Sequence, residues 1–345
     1  MTEHVLTQRE LNRAVLARQH LLSRSSATLP RALQSVGGLQ AQYAPSMYVG
    51  LWSRRRDLAR SDLTSALEQR AVVQATLMRV TIHVVARADY WPLALATRTA
   101  RRALWLKARR GAVSGEDMEA AARRVRERLT ASGSLHRKEL EELVGKADAV
   151  GVGLWLDLVR VPPSGTWEHR RANLFAAAED WIGAPDVSTQ DATDHLLRSY
   201  LKGFGPASRN DIASYTGLQQ RDIVPALERL PLRLFSSEAG DELLDLPRQA
   251  LPHPDTPAPV RFLPTWDATL LVHVRRAGIL REGHRPRIFR ASNPHSLPTF
   301  LVDGAVAGTW RYDKGRIVLD PFERLDRASL KSLNDEAEGL AAFHE

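Results

Sequence analysis

The sequence predicts an α+β fold in which three tandem winged-helix modules precede a small β-barrel-like C-terminal region. An order of helices followed by a strand pair recurs at a spacing of about 80 residues. The third copy reads as a helix–turn–helix followed by a β-hairpin, and β-type segments dominate after a proline-rich stretch. We expect the units to span residues 1–112, 113–186, 187–250 and 258–345.

The composition is that of a globular protein and excludes several kinds of site. Apolar residues make up 43% of the 345 residues and charged residues 26%, which excludes disordered and collagen-like chains. No apolar run approaches the roughly 20 residues of a membrane span, and the N-terminus lacks a signal-peptide pattern. The chain has no cysteine, so disulfides, zinc fingers, iron–sulfur clusters and thiol nucleophiles are excluded. We expect a cytoplasmic protein that makes no membrane contact.

Positive charge is concentrated in the N-terminal third. Residues 1–110 contain 18 Lys and Arg against 6 Asp and Glu, whereas residues 320–345 contain 3 against 7. Genomic base composition can explain why arginine far outnumbers lysine, but it explains this distribution less well. A basic N-terminal third suits a polyanion, whose phosphates it would neutralise.

Local signals place the elements of the first module. Thr7 and Glu10 have the spacing of a capping box, Gly37 and Gly38 indicate a helix end, and Pro45 can begin the next helix. The alternation of polar and β-branched residues over 72–85 predicts strands. The predicted helices cover 30–36, 61–70 and 88–110.

The second and third modules repeat this order. Their predicted helices cover 114–130, 135–140, 153–160, 189–202, 207–213 and 221–229. A strand is predicted over 166–171, and a hairpin joins 232–235 to 242–246 around a turn at 239–241.

Five prolines within residues 247–259 indicate a linker. Beyond it, strand-like segments predict a small barrel or curled sheet, and a final helix closes the chain. The segments are 260–263, 269–274, 300–302, 305–312 and 316–319, and the helix covers 328–343.

Familiar catalytic motifs are absent, and one segment stands out instead. The sequence has no phosphate-binding glycine loop, zinc-protease motif, nucleophile elbow or dinucleotide fingerprint, and its histidines lack metal-ligand spacing. Gln40 and Gln42 lie between a glycine pair and Pro45, where an extended backbone would direct both amides to one side. Loop glutamines are also commonly just solvated or cap helix ends, so the motif alone leaves its role open.

Several motifs together resemble the AlkZ/YcaQ-type winged-helix DNA glycosylases, and the resemblance spans nearly the whole chain. These motifs are Gly38-Leu39-Gln40-Ala41-Gln42, Gly50-Leu51-Trp52-Ser53-Arg54, Met78-Arg79-Val80-Thr81-Ile82-His83 and Leu263-Pro264-Thr265-Trp266-Asp267. The family's catalytic signature is a glutamine, an apolar residue, then glutamine or aspartate, and this chain has the glutamine form of the AlkZ-like branch. Val80 stands where the family usually has a small, glycine-like residue.

The resemblance implies a monofunctional DNA glycosylase that excises N7-alkylguanine, including guanines in interstrand crosslinks, without a cofactor or metal. An N7-alkylguanine is already cationic and departs as a neutral base, so catalysis requires a positioned water and stabilisation of an oxocarbenium-like sugar. We expect Gln42 to position the water and Gln40 to support the water or the sugar. No lysine lies in the motif, so Schiff-base lyase activity is not predicted.

Basic and polar side chains near these motifs are candidates for DNA contact. Arg79, Thr81 and His83 would share a strand face, although such a face is also often simply solvated. The other candidates are Arg54, Arg55 and Arg56, which also suit a solvated helix end, and the hairpin arginines Arg170 and Arg171. Trp266 and Asp267 could face the lesion, although a tryptophan in a sheet is more often part of the core.

The crosslink chemistry also bears on the shape of the molecule. A base tethered to both strands cannot be swung fully into a narrow pocket, so we expect a monomer with a C-shaped, basic concavity around double-stranded DNA. Self-resistance to a DNA-alkylating natural product is one expected setting. The alternatives are a winged-helix regulator without enzymatic activity, although no dimerisation helix is evident, and an inactive lesion-binding shield.

Overall fold

The computed structural model describes residues 5–271, 278–289 and 296–345, and its N-terminal part has the predicted order of helices and strands. Thr7 and Glu10 form the predicted capping box, and α2 ends at Gly37 in a left-handed conformation. The elements are β1 (Val5–Leu6), α1 (Gln8–Arg18), α2 (Leu29–Val36), β2 (Leu39–Gln40), α3 (Ala44–Trp52), α4 (Arg60–Glu68), β3 (Val72–Thr76), β4 (Ile82–Ala86) and α5 (Arg87–Ala108).

The second group of elements follows the predicted order of helices up to Leu156, except that residues 135–136 form a strand and the short helix begins at Arg137. Asp157 adopts a left-handed conformation, so the predicted helix over 153–160 stops early and a strand begins. The elements are α6 (Gly115–Ser132), β5 (Leu135–His136), α7 (Arg137–Val144), α8 (Gly153–Leu156), β6 (Leu158–Arg160), β7 (Leu174–Ala177) and α9 (Ala178–Ile182).

The predicted strand over 166–171 is wrong, because these residues belong to an irregular loop between β6 and β7. We call residues 161–173 the arginine loop, since it carries Arg170 and Arg171. The hydroxyl of Ser164 accepts hydrogen bonds from the backbone N–H of Asn173, at 2.6 Å, and of the next residue. These side-chain bonds hold the base of the loop in place of a strand ladder.

One six-stranded sheet joins the first two groups of elements. Its strand order is β2-β4-β3-β6-β7-β5. Each group contributes three strands in the same arrangement: its short first strand (β2 or β5) pairs with its third strand (β4 or β7), and the third pairs with the second (β3 or β6). The halves meet where β3 pairs with β6 in antiparallel orientation. The predicted boundary near residue 112 is therefore not a break in the sheet.

The third group matches its prediction closely. Its elements are α10 (Thr189–Phe204), α11 (Arg209–Thr216), α12 (Gln220–Glu228), β8 (Arg233–Ser237) and β9 (Glu242–Asp245). The hairpin β8–β9 is extended by β1, which pairs with β8 in parallel orientation. Leu197, Tyr200 and Phe204 of α10 are fully buried in an apolar core shared with α5 and the large sheet.

The C-terminal region is built on an open antiparallel sheet. Its elements are β10 (Arg261–Leu263), α13 (Arg285–Ile288), β11 (Thr299–Val302), β12 (Ala305–Asp313), β13 (Arg316–Pro321) and α14 (Arg327–His344). The strand order is β10-β11-β12-β13, and the two outer strands do not pair, so the described strands form no closed barrel. The predicted strand over 269–274 begins in a 3₁₀ turn, Ala268–Leu270, and residues 272–274 lie outside the described residues.

The α+β class is confirmed, while the winged-helix assignment and the C-shaped outline stay predictions. The predicted linker over 247–259 contains no helix or strand, but α1 fixes it, because Arg13 donates to the carbonyl of Thr256 at 2.7 Å and Arg9 to that of Pro254 at 2.8 Å. Across the described segments, no helix is both long and apolar enough to cross a membrane.

Candidate active site

Two glycines bring the glutamine motif against the large sheet. Gly37 and Gly38 have φ angles of +76° and +80°, a region that favours glycine. A Cβ on Gly38 would lie 2.7 Å from Cγ1 of Val85, which is too close for any side chain. Because both residues are glycine, β2 can approach β4 closely, and Gln40 pairs with His83 in the sheet.

Gln40 is buried, with only 8% of its surface exposed. Its Oε1 atom is inaccessible to solvent and has no hydrogen-bond partner among the described residues. A buried acceptor without a partner costs about 1–3 kcal/mol, and such atoms in native proteins usually bind an ordered water or serve a functional role. The Gln40 amide oxygen is therefore an unsatisfied acceptor that solvent does not reach.

Gln42 lies beyond the end of β2 and is exposed. Its Oε1 accepts a hydrogen bond from the backbone N–H of Ile82 at 3.1 Å, which fixes the side chain against the start of β4. An amide oxygen has two lone pairs, so this bond leaves Gln42 able to accept a second one.

A third glutamine, Gln74, supports the motif from within the sheet. It is 1% exposed, and its Nε2 donates to the carbonyl of Ala41, between the two motif glutamines, at 3.4 Å. On its other side the Gln74 amide oxygen packs so closely on Gly165 that a Cβ there would overlap it. One buried amide thus contacts both the glutamine strand and the arginine loop, a role that no local sequence signal indicated.

Gln42 lines a cleft of about 570 Å³ whose charged side chains are all arginine. Gln40 is buried and is not among the lining residues, so the two amides do not face one exposed side as the sequence predicted. The lining residues are Ala41, Gln42, Tyr43, Ala44, Ile82, Arg137, Arg170, Arg171, Ala172 and Asn173. The structure thus brings Arg170 and Arg171 to Gln42, although they lie in a loop and not in the predicted hairpin.

Sequence reasoning missed Arg137, which reaches the cleft through long-range pairing. The backbone N–H of Arg137 donates to the carbonyl of Asn173 at 2.7 Å, where β5 pairs with β7. No local sequence pattern around Arg137 predicts a pairing with residues so distant in sequence.

A second cavity, of about 520 Å³, lies between α1 and the third group of elements. Its charged lining residues are Asp211, Glu238 and Asp241. Because this lining is acidic, it suits the phosphates of nucleic acid poorly, and the arginine-lined cleft is the candidate active site.

The predicted strand face of Arg79, Thr81 and His83 is wrong, because Met78–Val80 forms a 3₁₀ turn. Arg79 and Val80 have φ angles of +53° and +59°, a strained conformation for a β-branched residue at the position where the family usually has a small one. The turn therefore removes Arg79 from the strand that carries His83.

Each of those three side chains is engaged within the protein. Arg79 donates to the carbonyl of Tyr215 at 2.8 Å, with its guanidinium over that tyrosine ring. Thr81 donates to the carbonyl of Met78. His83 is buried with its Nδ1 next to the carbonyl of Thr81, and burial, reinforced by the nearby Arg79 charge, lowers the pKa of His83 to about 3. His83 is therefore withdrawn from the surface, whereas contact of Arg79 and Thr81 with DNA stays a prediction.

Arg54 also has a different role from the predicted phosphate contact. It is 1% exposed and forms two hydrogen bonds, of 2.8 and 2.9 Å, to the carboxylate of Asp267. Asp267 is itself buried, so it does not face a lesion. The motif that ends in Arg54 and the motif that ends in Asp267 therefore meet in one internal ion pair, which links the end of α3 to the C-terminal region.

Arg55 and Arg56 follow the C-terminal end of α3, whereas the glutamine motif precedes its N-terminal end. Arg55 donates to the carbonyl of Ala27 and Arg56 to that of Arg24. Their contact with DNA stays a prediction. Within the part of the chain that the structure describes, no three His, Asp or Glu side chains are arranged to hold a metal ion.

Comparisons with known proteins point in the same direction as these motifs. A family model described as "DNA glycosylase AlkZ-like" matches residues 33–343. The interstrand DNA cross-link repair glycosylase of Streptomyces sahachiroi is 27% identical over 183 residues, covering 49% of this chain and 46% of the relative. The solved structure of Streptomyces sahachiroi DNA glycosylase AlkZ aligns with a TM-score of 0.82 at 19% identity, over 99% of this chain and 97% of that one. At that identity the structural likeness shows a shared fold.

Proposed function

This chain belongs to the AlkZ-like DNA glycosylase family, and from that premise we propose that it hydrolyses the N-glycosidic bond of N7-alkylguanine in double-stranded DNA. It acts as a monofunctional enzyme and as a monomer, with water as the nucleophile and no cofactor. The observation that carries this proposal is the position of Gln42 in a cleft whose charged side chains are all arginine.

The residues of the cleft suit a reaction that needs no general acid. An N7-alkylguanine departs as a neutral base, so its leaving group requires no proton. None of the residues lining the cleft is a carboxylic acid, and His83, with its pKa lowered to about 3 by burial, is neutral near pH 7 and cannot act as an acid there. What remains for the protein is to position water and stabilise the developing positive charge on the sugar.

We assign two amide oxygens to that task, one exposed and one buried. Gln42 keeps a free lone pair beside its bond to the N–H of Ile82, and we assign it the water. Gln40 carries the buried, unpartnered oxygen, which supports the water or directs its dipole at the sugar. Neutral amides stabilise the cationic transition state without binding the cationic lesion as strongly as a carboxylate would before reaction.

The arginines of the cleft bind the DNA backbone in this proposal. Arg170 and Arg171 lie on the exposed arginine loop, and Arg137 begins α7 beside them. Guanidinium groups suit phosphate oxygens because they donate several hydrogen bonds in a fixed plane.

Crosslinked guanine is a substrate we also propose, by analogy with the named activity of the relative from Streptomyces sahachiroi. A tethered base cannot leave the helix fully, so the sugar would be approached in place, within a C-shaped arrangement of winged-helix modules. The common strand arrangement in the two halves of the large sheet supports the modules. As the setting we propose protection against a DNA-alkylating natural product.

Single-turnover release of 7-methylguanine from duplex DNA tests the proposal. We expect Gln42→Ala to lower the rate about 100-fold or more, the usual effect of losing a positioned polar group at a reacting centre, with DNA affinity nearly unchanged. Gln69→Ala, at an exposed glutamine at the end of α4, is the matched control and should retain the wild-type rate. An unchanged rate for Gln42→Ala would remove this residue from the mechanism.

The same assay separates the enzyme from the two non-enzymatic alternatives. Sequence-selective binding to undamaged DNA without base release would identify a regulator, and lesion binding without release would identify a shield. Excision from methyl, bulky and interstrand N7 lesions, followed as alkali-labile abasic sites, then defines the range of adducts.

A further inference from the structure

Tyr43 places an exposed aromatic ring next to Gln42. Its surface is 41% exposed, and it is one of the residues that line the cleft. The phenolic oxygen accepts a hydrogen bond from Nη1 of Arg170 at 3.1 Å. The ring is therefore held at the cleft, because a residue of the arginine loop binds its phenolic oxygen.

The contacts behind Arg170 fix this arrangement. Nε of Arg170 donates to the carbonyl of Trp167 at 3.4 Å, and its guanidinium lies 5.9 Å from the centre of that ring. Trp167 is 5% exposed and packs edge-on against Tyr48 and Phe343. Arg170 thus connects the Tyr43 side chain to a buried aromatic cluster.

Electrostatics give the ring a function that the arginines cannot perform. Arg137, Arg170 and Arg171 attract the DNA phosphates but repel a base that is itself positively charged. The face of an aromatic ring carries a partial negative charge and attracts cations. Among the side chains lining the cleft, Tyr43 is the aromatic one.

We propose that Tyr43 contacts the alkylated base and favours its cationic form, so that it is a specificity-determining residue of the proposed glycosylase. The inference rests on the proposed function and adds the means by which the site distinguishes a charged lesion from a neutral base of the same shape. The expected preference is about threefold to thirtyfold, the range that cation–π contacts provide.

Binding to two uncleavable duplexes tests the inference. One carries 7-methylguanine, the cationic lesion, on a 2′-fluoroarabinose sugar that resists base loss. The other carries neutral 7-methyl-7-deazaguanine on the same sugar. We expect the wild-type protein to bind the cationic duplex about threefold to thirtyfold more tightly. Tyr43→Leu should bring the two dissociation constants together, while Tyr43→Phe should keep most of the difference.

Arg171→Ala provides the matched control within the cleft. It removes a positive charge and leaves the ring, so it should weaken binding to both duplexes and leave their ratio at or above the wild-type value. A Tyr43→Leu variant that retains the wild-type ratio, or a wild-type protein that does not distinguish the two duplexes, would overturn the inference. If the wild-type protein neither prefers lesions to undamaged DNA nor releases base, the proposed function itself fails.

Discussion

Arg54 and Asp267 illustrate, at the scale of single residues, how burial changes the role of a charge. Arg54 is the first of three consecutive arginines, and the other two lie closer to the surface. Both members of the Arg54–Asp267 pair are 1% exposed in their side chains. Removing one partner of such a pair leaves the other charge buried without compensation, which is far more costly than losing a surface ion pair.

We predict that Asp267→Asn lowers the free energy of unfolding by about 3–5 kcal/mol, because the Arg54 guanidinium keeps its charge and loses its counterion. Urea denaturation with a fixed slope measures the change. Asp180→Asn is the control, since Asp180 pairs with Arg126 where both side chains are about a third to a half exposed, and its loss should cost less than about 1 kcal/mol. Equal losses for the two variants would show that Arg54 does not depend on Asp267.

At the scale of elements, the site depends on a two-residue strand held in place by glycine. Strand β2 would have little stability alone, and its position comes from its pairing with β4 and from the close approach at Gly38. Gly217 also has a positive φ, of +77°, but a Cβ there would meet nothing within 4 Å. Comparing the two glycines separates backbone strain from crowding.

We expect Gly38→Ala to reduce both stability and the excision rate, because the new methyl group would force β2, and with it Gln40, away from β4. Gly217→Ala should lose only the roughly 1–2 kcal/mol of left-handed strain and should keep the wild-type excision rate. Thermal unfolding and single-turnover excision on both variants provide the comparison. If the two variants behave alike, crowding at Gly38 is irrelevant to the site.

Sequence patterns predicted the elements with local signals and missed those without them. The capping box of α1, the glycine end of α2 and the hairpin β8–β9 are specified within a few residues, and the structure confirms each of them. The strand predicted over 166–171 is wrong because these residues lie in a loop stabilised by Ser164. The 3₁₀ turn at Arg79 similarly overrides a regular strand alternation.

At the scale of the whole molecule, two histidines whose pKa is lowered by burial link stability to pH. The unfolded chain protonates His83 near its ordinary pKa of 6.5, whereas burial lowers the folded-state pKa to about 3. Burial likewise lowers the pKa of His344, to about 4. Above pH 6.5 both residues are neutral in either state, and as the pH falls towards the folded-state values only the unfolded chain gains protons, so stability falls.

We therefore predict that the free energy of unfolding decreases steadily as the pH falls from about 6.5 to about 4. The variant His83→Asn should make this decrease shallower, even if it lowers stability at about pH 7. Urea midpoints at several pH values measure the slope. His253→Asn, at a histidine whose side chain is 75% exposed, should leave the slope unchanged. A wild-type slope in His83→Asn would mean that other groups account for the acid sensitivity.

The sequence by itself determined the α+β class, most helices, the glutamine motif and the membership of a glycosylase family, because these depend on residue types within short segments. Only the tertiary structure decided which charges reach the motif. It buried Arg54, turned Arg79 inward and brought Arg137 to the arginine loop. The reason is that strand pairing and core packing join residues far apart in the chain, and local propensity carries no information about those partners.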